Sequence, residues 1–262
     1  MLKNYLKLYF EFFKVNIKGI MIYDLDFIFG VVGLILNKIM SFCILIFIFN
    51  FLDELKGWSF DQFLFLFGFS TSSYALWHCF FINTVSMSYY IRYGRLDRFL
   101  LRPIHPIFQI MTDDFDEDGW GELIFGLVIL IVAIFRLRLQ SFYLLLLPLL
   151  IIGASLIYAS VSLLGSIVSF FTIGNTNLSN LVMDFHEFSK YPLPIYNQVL
   201  RIIFTLFIPI GFAAYYPSLF FITNYQQGLW IGVLSPLISL VFFVVVCKIW
   251  VFSLKYYGST GS

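Results

Sequence analysis

The chain has 262 residues, of which 60% are hydrophobic, 21% aromatic and 12% charged, with a mean hydropathy of +0.90. That is more apolar surface than a soluble core can hide, so the composition excludes a soluble globular protein and specifies a polytopic membrane protein. A formal net charge of +1, without any run of like charges, gives no reason to expect a nucleic-acid partner.

Residues 1–20 mix Lys3, Lys7, Glu11, Lys14 and Lys18 with apolar residues, which leaves no clean hydrophobic centre for a cleavable signal peptide. At three- or four-residue spacing these charges share one helical stripe, with Leu2, Leu6, Tyr9, Phe10, Phe13 and Ile17 away from it. This is the pattern of an amphipathic elbow helix lying in the plane of the interface. The other reading is a watery extension of the first spanning helix.

A crossing needs about 20 apolar residues, and six can be placed. They run over residues 22–49, 60–90, 120–135 and 142–171, from near Leu178 to a break at Tyr191, and over 229–252. A further apolar stretch, residues 199–221, contains Pro209, Gly211 and Pro217 and reads as a re-entrant extracellular hairpin or a seventh crossing. Charge favours the hairpin. Lys3, Lys7, Lys14 and Lys18, then Arg92, Arg95, Arg98 and Arg102, put the amino terminus and the loop after the second crossing on the cytoplasmic side. Six crossings return the carboxyl end, with Lys248 and Lys255, to that side. Arg136 and Arg138 then fall outside, against the rule. The expected fold is therefore an all-α integral membrane protein, one transmembrane domain over residues 1–257. The tail 258–262 reads as an appended linker.

Buried charge costs at least about 2.5–3.5 kcal/mol at the bilayer centre, so Lys38 in the first crossing needs a partner, a water-filled path or a route to the interface. Asp184, His186 and Glu187 on the fifth crossing are the natural candidates to meet it. His186-Glu187 lacks the second histidine of a zinc hydrolase helix, and no metal or catalytic set is expected. On the second crossing Ser70, Tyr74, Trp77, Phe81, Thr84 and Ser88 form one mixed face, with His78 beside it. It reads as helix packing or as a contact for an amphipathic substrate. On the fourth crossing, Ser155 and Ala159, Ser162 and Ser166, and Gly165 and Ser169 are small residues four apart, a packing surface open to use as a dimer seam. Tyr191, Pro192, Pro194 and Tyr196 interrupt the fifth crossing and read as an extracellular gate or a plain helix end. Cys43, Cys79 and Cys247 lack disulfide or zinc spacing.

The run YIRYGRLDRFLLRPIHPIFQIM, Tyr90 to Met111, with the acidic Asp113 to Asp116 after it, resembles permease subunits of ABC-2 type exporters. EFSKYPLPIYNQVLRIIFTLFIPIGFAAYYPS, Glu187 to Ser218, is similar to the same family's broken fifth helix and hairpin, and MIYDLDFIFG, Met21 to Gly30, to the start of its first. Asp24 departs from the basic residue expected there. The resemblance implies export of a substrate, hydrophobic or amphipathic in character, by a pair of permeases, identical or related, in the cell membrane. It implies two ATP-binding cassette subunits as partners, holding ATP and Mg; this chain has no phosphate loop and binds no cofactor itself. Within the cytoplasmic loop 91–118, Gly94 to Met111 would be a coupling helix. Arg95, Asp97, Arg98 and Arg102 would make polar contacts, Leu96, Phe99 and Leu100 would fill an apolar cleft, and Pro103 and Pro106 would end the helix. Without the resemblance, the same loop reads as a topology determinant that binds membrane lipids. Competing readings are a proton-coupled secondary transporter built on Lys38 and the Asp184, His186, Glu187 group, an intramembrane enzyme, or an assembly subunit without a pathway.

Overall fold

The computed structural model describes residues 2–20, 24–113, 116, 118–139, 142–172, 181–223 and 229–258. Leu178, Asp114, Phe115 and the tail 259–262 lie outside them. The chain is mostly helical. Among the described residues three helices are long and apolar enough to cross a membrane, over Asp118–Arg136, Phe142–Ser169 and Trp230–Tyr256.

Helix α1 covers Leu2–Ile20 and α2 covers Asp24–Phe51. Tyr9 of α1 packs on Phe80 and Phe13 on Trp120, with ring centroids 5.9 and 6.1 Å apart. A short hairpin, β1 (Glu54–Leu55) and β2 (Trp58–Ser59), turns through Lys56 and Gly57 into α3 (Phe60–Phe81). Ser59 and Gln62 form a capping box at the start of α3.

The second crossing is shorter than the hydropathy predicts. It stops at Phe81, and Ile82–Thr84 tighten into a 3-10 turn before α4 (Met87–Arg92). The reason is polar. Thr84 Oγ1 bonds back to the Phe81 carbonyl at 2.6 Å and also meets Ser162, a competition with helical bonding that side-chain hydroxyls exert on the backbone.

After α4 come α5 (Arg95–Leu100), α6 (Pro106–Met111), α7 (Asp118–Arg136) and α8 (Leu147–Ser169). Then follow α9 (Leu181–Ser189), α10 (Gln198–Ile202) with a π turn at Ile203–Phe207, α11 (Tyr215–Ile222) and α12 (Leu229–Ser253). The apolar stretch 199–221 is broken at Pro209, and its limbs, Gln198–Phe207 and the 8-residue α11, are each too short to span.

Helix α3 is the spine, packed on α7 and α8, while α8 also packs on α12. Its mixed face turns out to be a seam. Ser70 meets the Tyr158 hydroxyl at 3.3 Å, and Tyr74 meets the Tyr158 ring edge-on at 5.5 Å; both contacts are made to α8. Thr84 meets Ser162, and Ser88 meets Ser169 at 2.8 Å. Ser166 accepts from Trp250 Nε1 of α12 at 2.8 Å. Ser162, Ser166 and Ser169 of the fourth crossing thus line an internal seam between helices of one chain. Arg136, the topological exception, donates to Asp61 at 2.5 Å across the α3–α7 end.

The two sequence landmarks lie at opposite ends of this spine. Tyr191 packs near Phe63 and Tyr215 near Trp58, at the start of α3, whereas α4 to α6 follow its far end.

Candidate functional site

At the far end, Gly94 has φ +63, a left-handed conformation that turns α4 into α5 without the strain a Cβ would bring. Gly94→Ala is expected to cost about 1–2 kcal/mol by that strain, read as a lower unfolding midpoint in detergent. The expected single coupling helix is two short helices. Pro103 lies in the bend between them, but Pro106 opens α6, at a first-turn position where its missing N–H costs nothing. Gln109 ties the pair together, donating to the carbonyls of Phe99 at 2.8 Å and Ile104 at 2.7 Å.

Leu96 and Phe99 are buried, in one cluster with Met87, Tyr90, Ile107, Ile110 and Trp250. They anchor α5 to its own bundle and are not free to fill a partner's cleft. Leu100 and the 86% exposed Leu101 face outward, the second of them passed over by sequence reasoning. Arg95, Arg98 and Arg102 are exposed around them. Arg98 bonds Asp113 at 2.9 Å and Arg95 lies over the Tyr89 ring at 4.8 Å. The result is a basic, leucine-tipped knob rigidly seated on the end of the bundle.

At the near end, the proline break is held by a residue the sequence reading missed. Arg201 donates to the free carbonyls of Tyr196 at 2.8 Å and Pro194 at 2.7 Å, and Tyr196 donates to Phe188 O at 2.7 Å. These bonds satisfy irregular backbone that lipid cannot. Pro192 is buried, Tyr191 and Pro194 partly so. A lone arginine seven residues after Pro194 in an apolar run was the available signal.

Between the two ends lies a buried ionic cluster. Lys38 of α2 makes its ion pair with Glu122 of α7, not with Asp184, His186 or Glu187; the two side chains are 12% and 2% exposed. His78 bridges Glu122 through Nδ1 at 3.2 Å and Asp116 through Nε2 at 3.1 Å. Burial pushes the Asp116 carboxyl up, but the bond to His78, its charge and the Asp118 amide outweigh it, holding the group below the ordinary carboxylate value. Asp184 is exposed and Glu187 pairs with Lys190 at 2.5 Å. His186 is buried, stacked on the Tyr74 ring at 3.8 Å, with Nε2 4.0 Å from Glu122 Oε1. Trp77 is buried in the adjoining core. Among the described residues no group of three His, Cys, Asp or Glu side chains is set to hold a metal ion.

Spanning helices, a broken helix at one end and a basic knob at the other define a helical membrane protein. A family model described as ABC-2 family transporter protein matches residues 35–261, and the chain belongs to that family. It is thus a membrane-embedded transport permease of the ABC type, not itself the ATPase, and membership implies work with ATP-binding subunits. Comparison with curated proteins and with solved structures gave no match.

Proposed function

We propose that the chain is the permease of an ABC exporter, paired with a second permease and driven by two cytoplasmic ATPase subunits that hold ATP and Mg. The observation that carries this reading is the α4–α6 knob. Its outward face offers arginines and two leucines, while its inward face, through Leu96 and Phe99, is packed with Trp250 of α12. Force applied to Leu101 is therefore delivered to spanning helices rather than lost in a loop.

On this reading α1 is the interfacial elbow, both termini are cytoplasmic and six segments cross the bilayer. Residues 199–221 re-enter from outside over the gate at Tyr191 to Tyr196. The 21% aromatic content is compatible with a hydrophobic or amphipathic cargo.

Leu101→Asp and Arg102→Glu test the knob without touching its packed base. Each is expected to leave insertion and monodispersity intact while cutting co-purification of the ATPase subunit, and its stimulation, by at least about tenfold, the loss of about 1.4 kcal/mol of contact. Unchanged recovery of the ATPase in both variants would remove the coupling role.

A further inference from the structure

Both ring nitrogens of His186 are buried without a hydrogen-bond partner among the described residues. Buried polar atoms are nearly always satisfied, and an exception calls for a role. The acceptor they lack is close by. Nε2 lies 4.0 Å from Glu122 Oε1, the same oxygen that pairs with Lys38. We infer that His186 and Glu122 form a proton-binding site whose occupancy is exchanged against the Lys38 ion pair, so that α2 can leave the bundle without stranding a buried carboxylate.

The groups facing His186 explain why one arrangement excludes the other. The basic groups around it are Lys38 from α2, His78 from α3 and Lys190 beyond the end of α9, the last paired with Glu187. Glu122 from α7 is the facing anion, with Asp116 behind His78. The rings of Tyr74 and Tyr158 close the remaining sides, centroids 3.8 and 5.9 Å away. With Lys38 in place its ammonium occupies Glu122 Oε1, and neither ring nitrogen of His186 has a hydrogen-bond partner among the described residues. If Lys38 withdraws, Glu122 Oε1 loses its cation. A proton taken up on His186 then supplies an N–H donor and a positive charge at that oxygen. The step balances: the ammonium keeps its three protons, one proton enters from water, and the net charge around Glu122 is conserved.

A cavity of about 70 Å³ lies between Ser41, Ile44 and Leu45 of α2 and Glu187, Lys190 and Tyr191. That is room for water; its wall begins at Ser41, three residues after Lys38, and reaches Lys190, four residues after His186. Among the described residues Lys38–Glu122 is the ion pair joining α2 to the bundle, so α2 is the element this exchange would release.

The proposal concerns the chain's own protonation and rests on the permease reading only for the use made of the motion. The test is therefore spectroscopic. The chain has three histidines, so uniformly nitrogen-15-labelled histidine in the intact protein, in lipid nanodiscs, can be assigned with single His→Gln variants. At neutral pH His186 is expected to be a neutral ring in the wild type and an imidazolium in Lys38→Met, with Lys38→Arg behaving as wild type. A neutral His186 in folded Lys38→Met would overturn the proposal. If Lys38→Met does not fold, the wild type is titrated from about pH 8 to about pH 5, across histidine's ordinary range. Appearance of the His186 imidazolium together with loss of the Lys38 ammonium contact supports the exchange, and a ring that stays neutral throughout overturns it. Either result is independent of ATPase binding, so it stands apart from success or failure of the coupling role.

Discussion

Replacing Glu122 with leucine is expected to be the most damaging single change in this chain. It strands the Lys38 ammonium and removes one of the two carboxylates that hold His78. Removing one member of a buried ion pair costs about 3–5 kcal/mol because the other charge is left uncompensated. The loss should appear as aggregation on solubilisation, or as a fall in the unfolding midpoint on the order of 10 °C. The decisive comparison is with the double variant Lys38→Met/Glu122→Leu. Swapping both charges for apolar groups of similar size is often neutral, and His78 keeps Asp116, so the double variant should recover most of the lost stability. A double variant no better than Glu122→Leu would mean that the pair is not the source. Lys38→Met alone is expected to be much milder than Glu122→Leu. The carboxylate it leaves behind still has His78 and, with a proton, His186.

The asymmetry between those two residues also measures how legible the site was. Lys38 is visible in the sequence because it is a charge inside a long apolar run, and its need for a partner follows from the solvent. Glu122 is not visible in that way. It stands four residues after Asp118, where an acid reads as the polar flank of a crossing rather than its interior. The signal that marks it is local. Gly119, Glu122 and Gly126 fall three and four residues apart, and Ala133 a further seven on, so they share one face, and all are buried. A carboxylate flanked by glycines on one face is a carboxylate on the close-packed side. The basic knob was legible for the opposite reason, since arginines between crossings have few other uses, yet its internal packing was not. Leu96 and Phe99 differ from Leu100 only in which way a six-residue helix faces, and that is fixed by Trp250, more than 140 residues downstream. The premature end of α3 at Phe81 had no glycine or proline to announce it. It depends on Thr84 finding Ser162 on another helix.

Glycines on the same helices carry the second large prediction. A Cβ on Gly68 would lie 2.6 Å from the Leu130 backbone nitrogen and 2.8 Å from its Cα, and one on Gly126 would lie 2.7 Å from the Ser72 nitrogen. Carbon contacts are comfortable near about 3.5–4 Å, and here the obstacle is backbone, which cannot rotate away. Gly68→Ala or Gly126→Ala must therefore push α3 and α7 apart by on the order of 1 Å along their whole contact. Overpacking of this kind costs about 1–3 kcal/mol, and occasionally more; two main chains in register place these variants at the upper end. Gly33 on α2 is the control, because a Cβ there would meet nothing within 4 Å and alanine gains about 1 kcal/mol over glycine in a helix. Gly33→Ala should be neutral or stabilising, while the other two lower the unfolding midpoint and loosen the His78–Glu122 bond that spans the same helices. Equal midpoints for all three would show that the α3–α7 contact yields to the extra methyl. The ionic cluster would then be held by its own charges rather than by a rigid floor beneath it. With a rigid floor, α3 and α7 act as one body, and motion of α2 against them has a fixed reference, which is what an exchange of partners at Glu122 requires.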